Sequence, residues 1–305
     1  MMRVFLFPGQ GSQSIGMGQS YYEASPIAKE MFQIADDICG YSLSDLCFHG
    51  PDEKLKETRY SQPALYTVSY IAYSILKEKG ITPDFVAGHS LGEYSALAAS
   101  GAFDFATGLK LVCKRGQLMY DVGESVPGAM AAVLGLPAEE VRSLCEAVSY
   151  ETKKVLVVAN YNCPGQIVVS GEKEAVQSAV SKLKEMKKKA IPLAVSGAFH
   201  SPLIQSANEE FKKVLEQTEF KNTSIPVVSN TTASGSCNGV ALKMAVMSQM
   251  VSSVRWEESL NYLWQQGVKE YIETGSGVVL SGLVKKTLPE ATIINTVDIN
   301  AINQM

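Results

Sequence analysis

The 305-residue sequence contains no long hydrophobic run, since none of its apolar stretches approaches the ~20 residues that a membrane-spanning helix needs. The apolar segment at the N-terminus is too short for a signal peptide and is followed at once by a Pro-Gly pair. We therefore predict that residues 3–7 form a first core strand, that no membrane takes part in the function, and that the protein is cytoplasmic.

Cysteine and histidine are sparse and scattered. No Cys-x-x-Cys pair occurs among the six cysteines, and the three histidines are too dispersed for a zinc cluster, so we predict no metal site. We expect reduced thiols in or near the core. The formal net charge of −4 argues against nucleic acid as a partner.

The most informative stretch is residues 84–101. It begins as a buried strand, continues through Gly-His-Ser-Leu-Gly at residues 88–92, and ends in an apolar helical segment with Gly101 as its stop. A serine on such a strand–turn–helix projects from the backbone, and the helix N-terminus behind it offers free N–H groups to an oxyanion. Ser90 is therefore predicted to be a nucleophile, and the alternative is an ordinary turn serine.

A serine nucleophile needs a base, and the sequence offers three histidines. His89 adjoins Ser90 and leaves the turn in another direction, which indicates a packing residue, while His49 lies in a polar segment and is expected to be solvated. His200, in a loop that opens a helix, is the best base by elimination, although a lone histidine is more often structural. No Asp or Glu stands in the motif loops as a third triad member, so we expect a main-chain or amide carbonyl to orient the imidazole.

A buried cation is predicted on a later helix. The helix that begins at Asp104 has one apolar stripe, and Arg115 borders that stripe. A guanidinium against an apolar face needs an anionic partner. The alternatives to a ligand are an internal acid or a side chain that snorkels to the surface.

Two further stretches leave alternatives open. The glycine-containing loop at residues 8–13 indicates either a close approach of its backbone to another group or a plain tight turn; it is not a phosphate loop, because no Lys-Ser or Lys-Thr follows at the required distance. Five lysines between residues 182 and 189 form either a solvated helix face or a docking surface for an acidic partner.

The order of predicted elements indicates two subdomains. Strands and helices alternate over residues 1–124 and 198–305, which predicts an α/β fold with a mostly parallel sheet. Residues 125–197 instead show the order β-α-β-β-α-β of a ferredoxin-like module. We predict a large catalytic subdomain formed by residues 1–124 and 198–305, and a small inserted subdomain formed by residues 125–197.

Several motifs together resemble the malonyl-CoA:acyl carrier protein transacylase family, the discrete acyltransferases of fatty acid and polyketide synthesis. The family's fold, a hydrolase-like α/β core with a ferredoxin-like insert, agrees with the order of elements. Ser253 departs from the family, because many members have proline at that position. The matching stretches follow the family's order: Pro-Gly-Gln-Gly-Ser-Gln at residues 8–13, Ser-Gln-Pro-Ala-Leu at 61–65, Gly-His-Ser-Leu-Gly-Glu-Tyr-Ser-Ala at 88–96, Arg-Gly at 115–116, Gly-Ala-Met-Ala-Ala at 128–132, Gly-Ala-Phe-His-Ser-Pro at 197–202 and Val-Arg-Trp at 254–256.

The resemblance implies the catalytic roles. Ser90 would carry the acyl group, and His200 would act as general base and acid. The backbone N–H groups of Gln10 and Leu91 would form the oxyanion hole. Gln249 would orient His200 through its main-chain carbonyl.

The resemblance also implies the substrate contacts. Arg115 would hold the malonyl carboxylate, which supplies the anion that its position calls for. Gln62 and Asn160 would line the pocket. Phe199 resembles the pattern of malonyl-selective members, in which a bulky ring limits the room for an α-methyl group.

The resemblance implies transfer of a malonyl group from malonyl-CoA, through a malonyl-serine, to the phosphopantetheine thiol of an acyl carrier protein, with no bound cofactor and no metal. A serine hydrolase with the same Ser-His pair and a non-enzymatic carrier-binding scaffold are the alternatives. Residues 40–47, 59–66 and 103–108 resemble stand-alone acyltransferases that load polyketide synthases in trans, which favours that pathway modestly over fatty acid synthesis. We expect a monomer.

Overall fold

The computed structural model describes residues 1–195 and 197–305, so that Ser196, the first residue of the predicted loop before His200, lies outside the described residues. The described strands form a six-stranded and a five-stranded sheet. The strands are β1 (Met2–Phe7), β2 (Phe85–Gly88), β3 (Gly128–Leu134), β4 (Leu156–Cys163), β5 (Gln166–Glu172), β6 (Lys189–Pro192), β7 (Val227–Val228), β8 (Gly235–Ser236), β9 (Val254–Arg255), β10 (Val268–Thr274) and β11 (Thr292–Thr296).

Helices connect these strands and cover the sheets. A short 3-10 turn, Pro202–Ile204, precedes the tenth helix. The α-helices are α1 (Gln19–Ala24), α2 (Pro26–Cys39), α3 (Leu43–His49), α4 (Asp52–Lys56), α5 (Thr58–Glu78), α6 (Gly92–Ser100), α7 (Phe105–Ser125), α8 (Ala138–Thr152), α9 (Lys173–Glu185), α10 (Gln205–Gln217), α11 (Gly239–Gln249), α12 (Trp256–Gln265), α13 (Val279–Thr287) and α14 (Ile299–Asn303).

The large sheet has the strand order β11-β10-β1-β2-β7-β8. All its neighbours pair in parallel except β8, which closes one edge as the antiparallel partner of β7. In β1, Phe5 and Phe7 enter one hydrophobic cluster while Val4 and Leu6 enter another, because alternate side chains point to opposite faces. The sheet is therefore covered on both sides, and the predicted α/β fold with a mostly parallel sheet is confirmed.

The small sheet has the order β6-β3-β5-β4-β9, and its first four strands pair antiparallel in the ferredoxin-like arrangement. Helices α8 and α9 contribute to its hydrophobic cluster. The fifth strand, β9, comes from the later part of the chain and pairs in parallel with β4. The hydroxyl of Ser253 also donates a hydrogen bond to the carbonyl oxygen of Val158 at 2.6 Å. The division at residues 124/125 and 197/198 stays a prediction.

The structure differs from the sequence pattern at several element ends. The Ser-Gln-Pro motif predicts a helix start at Ser61, but α5 begins at Thr58 and contains Pro63 in its interior. Proline has no N–H to donate to the preceding turn, which makes the first turn its usual place, yet burial along almost the whole of α5 outweighs this loss. The pattern also misses β11 and α14, which are short and polar at their ends.

Candidate active site

Ser90 lies on a sharp turn between β2 and α6. Its backbone φ is +51°, a left-handed conformation that is strained for a residue with a side chain. The turn is possible because Gly92 lacks a side chain: a Cβ there would lie 2.0 Å from the carbonyl oxygen of Phe7 in β1. The strand–turn–helix predicted from residues 84–101 therefore holds the Ser90 hydroxyl above the carboxyl end of the central strands.

His200 contacts Ser90 directly. The distance from Ser90 Oγ to His200 Nε2 is 2.8 Å. The other ring nitrogen, Nδ1, lies 3.0 Å from the carbonyl oxygens of both Gln249 and Ser252. Because a carbonyl can only accept, Nδ1 carries the proton, and Nε2 is left to accept the hydrogen bond from the Ser90 hydroxyl.

The His200 side chain is a neutral base. Burial, together with the nearby positive charge of Arg115, lowers the pKa of His200 to about 3, against the opposing effect of the Gln249 carbonyl. At neutral pH the imidazole therefore holds no second proton and can take one from Ser90. The backbone of His200 is also left-handed, with a φ of +56°. His200, like Ser90, therefore has a strained backbone conformation at the point where its side chain enters the site.

Arg115 brings a buried positive charge to the same hydroxyl. Its side chain is 1% exposed, and Nη2 donates to Ser90 Oγ at 3.2 Å and to Gln249 Oε1 at 3.0 Å. Nη1 donates to Gln62 Oε1 at 2.8 Å. All of these acceptors are neutral, and within the described part of the chain no carboxylate forms an ion pair with Arg115. The internal ion pair that the sequence left open is absent from those residues.

Gln249 connects the catalytic groups through both its backbone and its side chain. Its carbonyl accepts from His200, its Oε1 accepts from Arg115, and its Nε2 donates to the carbonyl oxygen of Ser90 at 2.8 Å and to Glu93 Oε2 at 2.7 Å. Glu93 lies on α6 one turn after the nucleophile and is buried. Burial raises the pKa of Glu93 to about 7, although the hydrogen bond from Gln249 acts in the opposite direction.

Asn230 fixes the nucleophile turn from the end of the neighbouring strand β7. Its Oδ1 accepts from the backbone N–H of Ser90 at 2.7 Å, and its Nδ2 donates to the carbonyl oxygen of Gly88 at 2.6 Å. One side chain thereby satisfies a donor and an acceptor of a strained loop. Its signal in the sequence is its position at the carboxyl end of a predicted strand, where polar residues of parallel sheets gather.

Two residues that line the cavity beside Ser90 carry the backbone N–H groups predicted to form the oxyanion hole. Leu91 precedes the first residue of α6, and Gln10 lies in the loop after β1. That loop packs against the turn so closely that a Cβ on Gly9 would lie 2.5 Å from the carbonyl oxygen of His89. Within the described residues, neither Leu91 N–H nor Gln10 N–H has a hydrogen-bond partner in the chain. Both are free to donate to an oxygen bound next to Ser90.

These groups line a cavity of about 350 Å³. Phe199, Asn160 and Gln62 all line it and are buried, as are His200 and Arg115. Gln62 Nε2 also contacts the Met119 sulfur at 3.2 Å. Eight of the nine predicted site residues therefore line one cavity. The ninth, Gln249, does not line the cavity but hydrogen-bonds to two residues that do, Arg115 and His200.

The remaining histidines lie as the sequence indicates. His89 is partly buried, its Nε2 is 2.9 Å from Asn162 Oδ1, and its ring packs edge-on against Trp256. His49 is exposed at the end of α3 beside Asp45. Residues 1–195 and 197–305 contain no cluster of three His, Cys, Asp or Glu side chains suited to a metal. Over the same residues, no helix combines the length and apolarity needed to cross a membrane.

The comparisons with known proteins agree with this geometry. Residues 4–301 match the acyl transferase domain family. The chain is 48% identical over 283 residues to the malonyl CoA-acyl carrier protein transacylase of Bacillus subtilis, covering 92% of this chain and 89% of the relative. It is 43% identical over 289 residues to the polyketide biosynthesis malonyl CoA-acyl carrier protein transacylase BaeC of Bacillus velezensis, covering 93% and 96%.

Solved structures give the same result. A malonyl-transacylase in complex with a type II polyketide synthase acyl-carrier protein superposes with a TM-score of 0.95 and 37% identity, covering 100% of this chain and 98% of that one. An acyl carrier protein S-malonyltransferase from Vibrio cholerae gives 0.94 and 37%, covering 100% and 99%. The protein is thus an acyltransferase. It belongs to the malonyl CoA-acyl carrier protein transacylase family, which confirms the resemblance seen in the sequence.

Proposed function

We propose that the protein transfers a malonyl group from malonyl-CoA to the phosphopantetheine thiol of an acyl carrier protein through a malonyl-Ser90 intermediate. The observation that carries this proposal is the buried Arg115 guanidinium, which contacts the Ser90 hydroxyl and, among the described residues, donates hydrogen bonds only to neutral acceptors. An acyl group with a free carboxylate would supply the missing negative charge.

In the first step, Ser90 Oγ attacks the thioester carbonyl of malonyl-CoA while His200 Nε2 takes the hydroxyl proton. The N–H groups of Gln10 and Leu91 donate to the oxyanion that forms on the carbonyl oxygen. As the carbon–sulfur bond breaks, the imidazolium returns the proton to the departing CoA sulfur. The products are CoA thiol and malonyl-Ser90.

In the second step, the carrier's phosphopantetheine thiol attacks the ester and follows the same path in reverse. His200 Nε2 takes the thiol proton and then gives it to Ser90 Oγ as the ester bond breaks. The covalent intermediate allows a single cavity to serve two thiols in turn, with no bound cofactor and no metal in either step. The oxyanion is held by the same N–H groups in both directions.

Arg115 and Phe199 would set the choice of acyl group. With malonyl, the two nitrogens of the Arg115 guanidinium can pair with the carboxylate, whereas acetyl would leave the buried cation unpaired. The Phe199 ring lines the same cavity and limits the space beside the α-carbon of the acyl chain. Gln62 and Asn160 complete the walls on the sides contributed by α5 and β4.

The carrier protein would approach past an exposed lysine cluster formed by Lys184, Lys187, Lys188 and Lys189, at the end of α9 and the start of β6. The chain continues from β6 into residues 193–195, which line the cavity. Positive charge there would attract an acidic carrier.

We further propose that the protein is a cytoplasmic monomer and that it supplies a polyketide synthase in trans. Loading rates measured on carrier proteins from polyketide synthesis and from fatty acid synthesis would distinguish the two pathways.

The test is the covalent intermediate. We expect the purified protein, mixed with malonyl-CoA alone, to gain the mass of one malonyl group on Ser90 and to lose it when a phosphopantetheine-loaded carrier is added. Ser90→Ala should show no labelling, whereas Ser100→Ala, at the far end of the helix that follows Ser90 and away from the cavity, should label normally. Release of free malonate without loading of the carrier would favour a hydrolase, and no labelling at all would favour a carrier-binding scaffold.

A further inference from the structure

Two cysteine side chains far apart in sequence lie in contact outside the active site. Cys39 is the last residue of α2, Cys113 lies in the middle of α7, and their sulfur atoms are 3.6 Å apart. Both are partly exposed, and they share a surface cleft of about 300 Å³ with Arg59 and the aromatic side chains of Tyr41 and Tyr60. A small molecule can therefore reach this thiol pair from solvent.

The two thiols are chemically unequal. A hydrogen bond from Cys113 lowers the pKa of Cys39 below its usual value. The same hydrogen bond, together with burial, raises the pKa of Cys113. A thiolate on Cys39 with a neutral thiol beside it is the arrangement in which one sulfur attacks a disulfide and the other resolves the product.

The geometry requires little movement to join them. A disulfide has a sulfur–sulfur distance of about 2.05 Å, so the sulfurs must approach by roughly 1.5 Å. Cys39 ends its helix, and its backbone can shift without breaking an interior turn. The other thiols are less suited: Cys47, Cys145 and Cys163 are buried, and among the described residues Cys237 has no cysteine in contact.

We propose that Cys39 and Cys113 form a redox-sensitive pair that a low-molecular-weight disulfide, such as oxidised glutathione, converts to an intramolecular disulfide joining α2 to α7. The Cys39 thiolate attacks the glutathione disulfide and expels one glutathione thiolate. Cys113 then loses its proton, attacks the Cys39 sulfur and expels the second glutathione. Overall, the two protein thiols are oxidised, and one glutathione disulfide is reduced to two glutathione thiols.

The experiment uses the full-length protein, first reduced and freed of reductant, then incubated with oxidised glutathione and analysed by intact mass and tryptic mapping. Trypsin leaves Cys39 on peptide 30–54 and Cys113 on peptide 111–114. Because peptide 30–54 also contains Cys47, the variant Cys47→Ser is the matched control. We expect a disulfide between the two peptides in both the wild type and Cys47→Ser, reversed by dithiothreitol.

Cys113→Ser should instead carry glutathione on Cys39, Cys39→Ser should react little at Cys113, and neither variant should show a linkage between the peptides. Glutathione adducts in place of the linkage in the wild type would overturn the proposal, as would a linkage that is lost in Cys47→Ser. Fragmentation of the linked wild-type peptides assigns the bond to Cys39 or to Cys47, so the question is decided even where a variant folds poorly. Malonyl loading by Ser90 plays no part in this readout, so its result is independent of the proposed function.

Discussion

The guanidinium of Arg115 donates to the hydroxyl oxygen of Ser90 at 3.2 Å, so the nucleophile and the cation are in direct contact before any substrate is bound. The same hydroxyl donates to His200, which leaves its oxygen between a base and a fixed positive charge. In the proposed reaction, substrate selection and nucleophile activation therefore share one atom. The predictions below test how these functions depend on one another.

Removal of the cation should remove the preference for a charged acyl group. We expect Arg115→Ala to lower kcat/KM for malonyl-CoA by roughly 10²- to 10³-fold, because the substrate carboxylate would be buried without its partner. The rate with acetyl-CoA should fall much less or rise. Arg115→Lys is the control, since it keeps the charge but loses the paired geometry, and it should retain part of the preference. A variant Arg115→Ala that still prefers malonyl would contradict the proposed clamp.

The pH profile should depend on the acyl group. His200 has a pKa of about 3 in the free protein, in part because Arg115 faces it. A malonyl carboxylate paired with Arg115 cancels that positive charge, so the pKa of His200 should rise in the malonyl complex. Single-turnover acylation of Ser90 should therefore lose rate with falling pH at a higher pH for malonyl-CoA than for acetyl-CoA.

In Arg115→Ala the acid limb with acetyl-CoA should move to higher pH, because the positive charge that lowers the pKa of His200 is gone. An acetyl-CoA acid limb that does not move in this variant would show that Arg115 does not control the pKa of His200. His200→Ala should lower the acylation rate by roughly 10²- to 10⁴-fold at every pH, which is the usual contribution of a general base.

Glu93 should make the protein less stable as the pH rises. Its pKa is about 7 in the folded state against an ordinary value of 4.5, so between these values the folded protein binds a proton that the unfolded chain does not. Stability is then highest below the unfolded pKa and falls as the pH rises through 7, by about 3 kcal/mol in all. Urea unfolding at several pH values between 5 and 8.5 measures this loss.

Glu93→Gln keeps a carbonyl oxygen for the hydrogen bond from Gln249 but cannot ionise. We expect it to flatten the pH dependence of the free energy of unfolding and to keep most of the acylation activity. An unchanged slope in this variant would show that Glu93 does not titrate in that range. Gln249→Ala, by contrast, should lower acylation, because it leaves Arg115 and Glu93 without their shared partner.

The lysine cluster should affect the rate of the second step only, the transfer of the malonyl group to the carrier protein. We expect the double variant Lys184→Glu/Lys188→Glu to slow transfer from malonyl-Ser90 to the carrier several-fold at low salt, and less at high salt. Acylation by malonyl-CoA should not change. Lys79→Glu, at the far end of α5 and roughly 25 Å along that helix from Gln62, is the matched control. Equal transfer rates for all three proteins would exclude this surface as the docking site.

The parts of the site that lie close together in sequence could be predicted, because local geometry determines them. The turn around Ser90 depends on glycines within two residues of it, and the apolar stripe beside Arg115 depends on helical spacing. Asn230 and Glu93 were missed for different reasons. Asn230 meets Ser90 across 140 residues of chain, a pairing that only the parallel order of β2 and β7 creates. Glu93 looks like an ordinary first-turn carboxylate until burial and Gln249 are known.

The orientation of His200 was predicted in kind but not in full. The sequence indicated a carbonyl in place of a third acidic residue, and the family resemblance implied Gln249. A second carbonyl, that of Ser252, lies at the same distance from Nδ1. It belongs to a segment with no regular pattern, whose path depends on its pairing with the small sheet.

That pairing limits how the protein can move. The carbonyls that contact His200 lie between the end of α11 and the start of β9, and β9 together with the Ser253 hydroxyl is bound to β4 of the smaller sheet. Separation of the two sheets would move the carbonyl of Ser252 away from the imidazole of His200 and change the orientation of the ring. We therefore expect a hinge motion between the two sheets to slow the proposed reaction, so that the flexible arm of the acyl donor enters a cavity whose walls stay still.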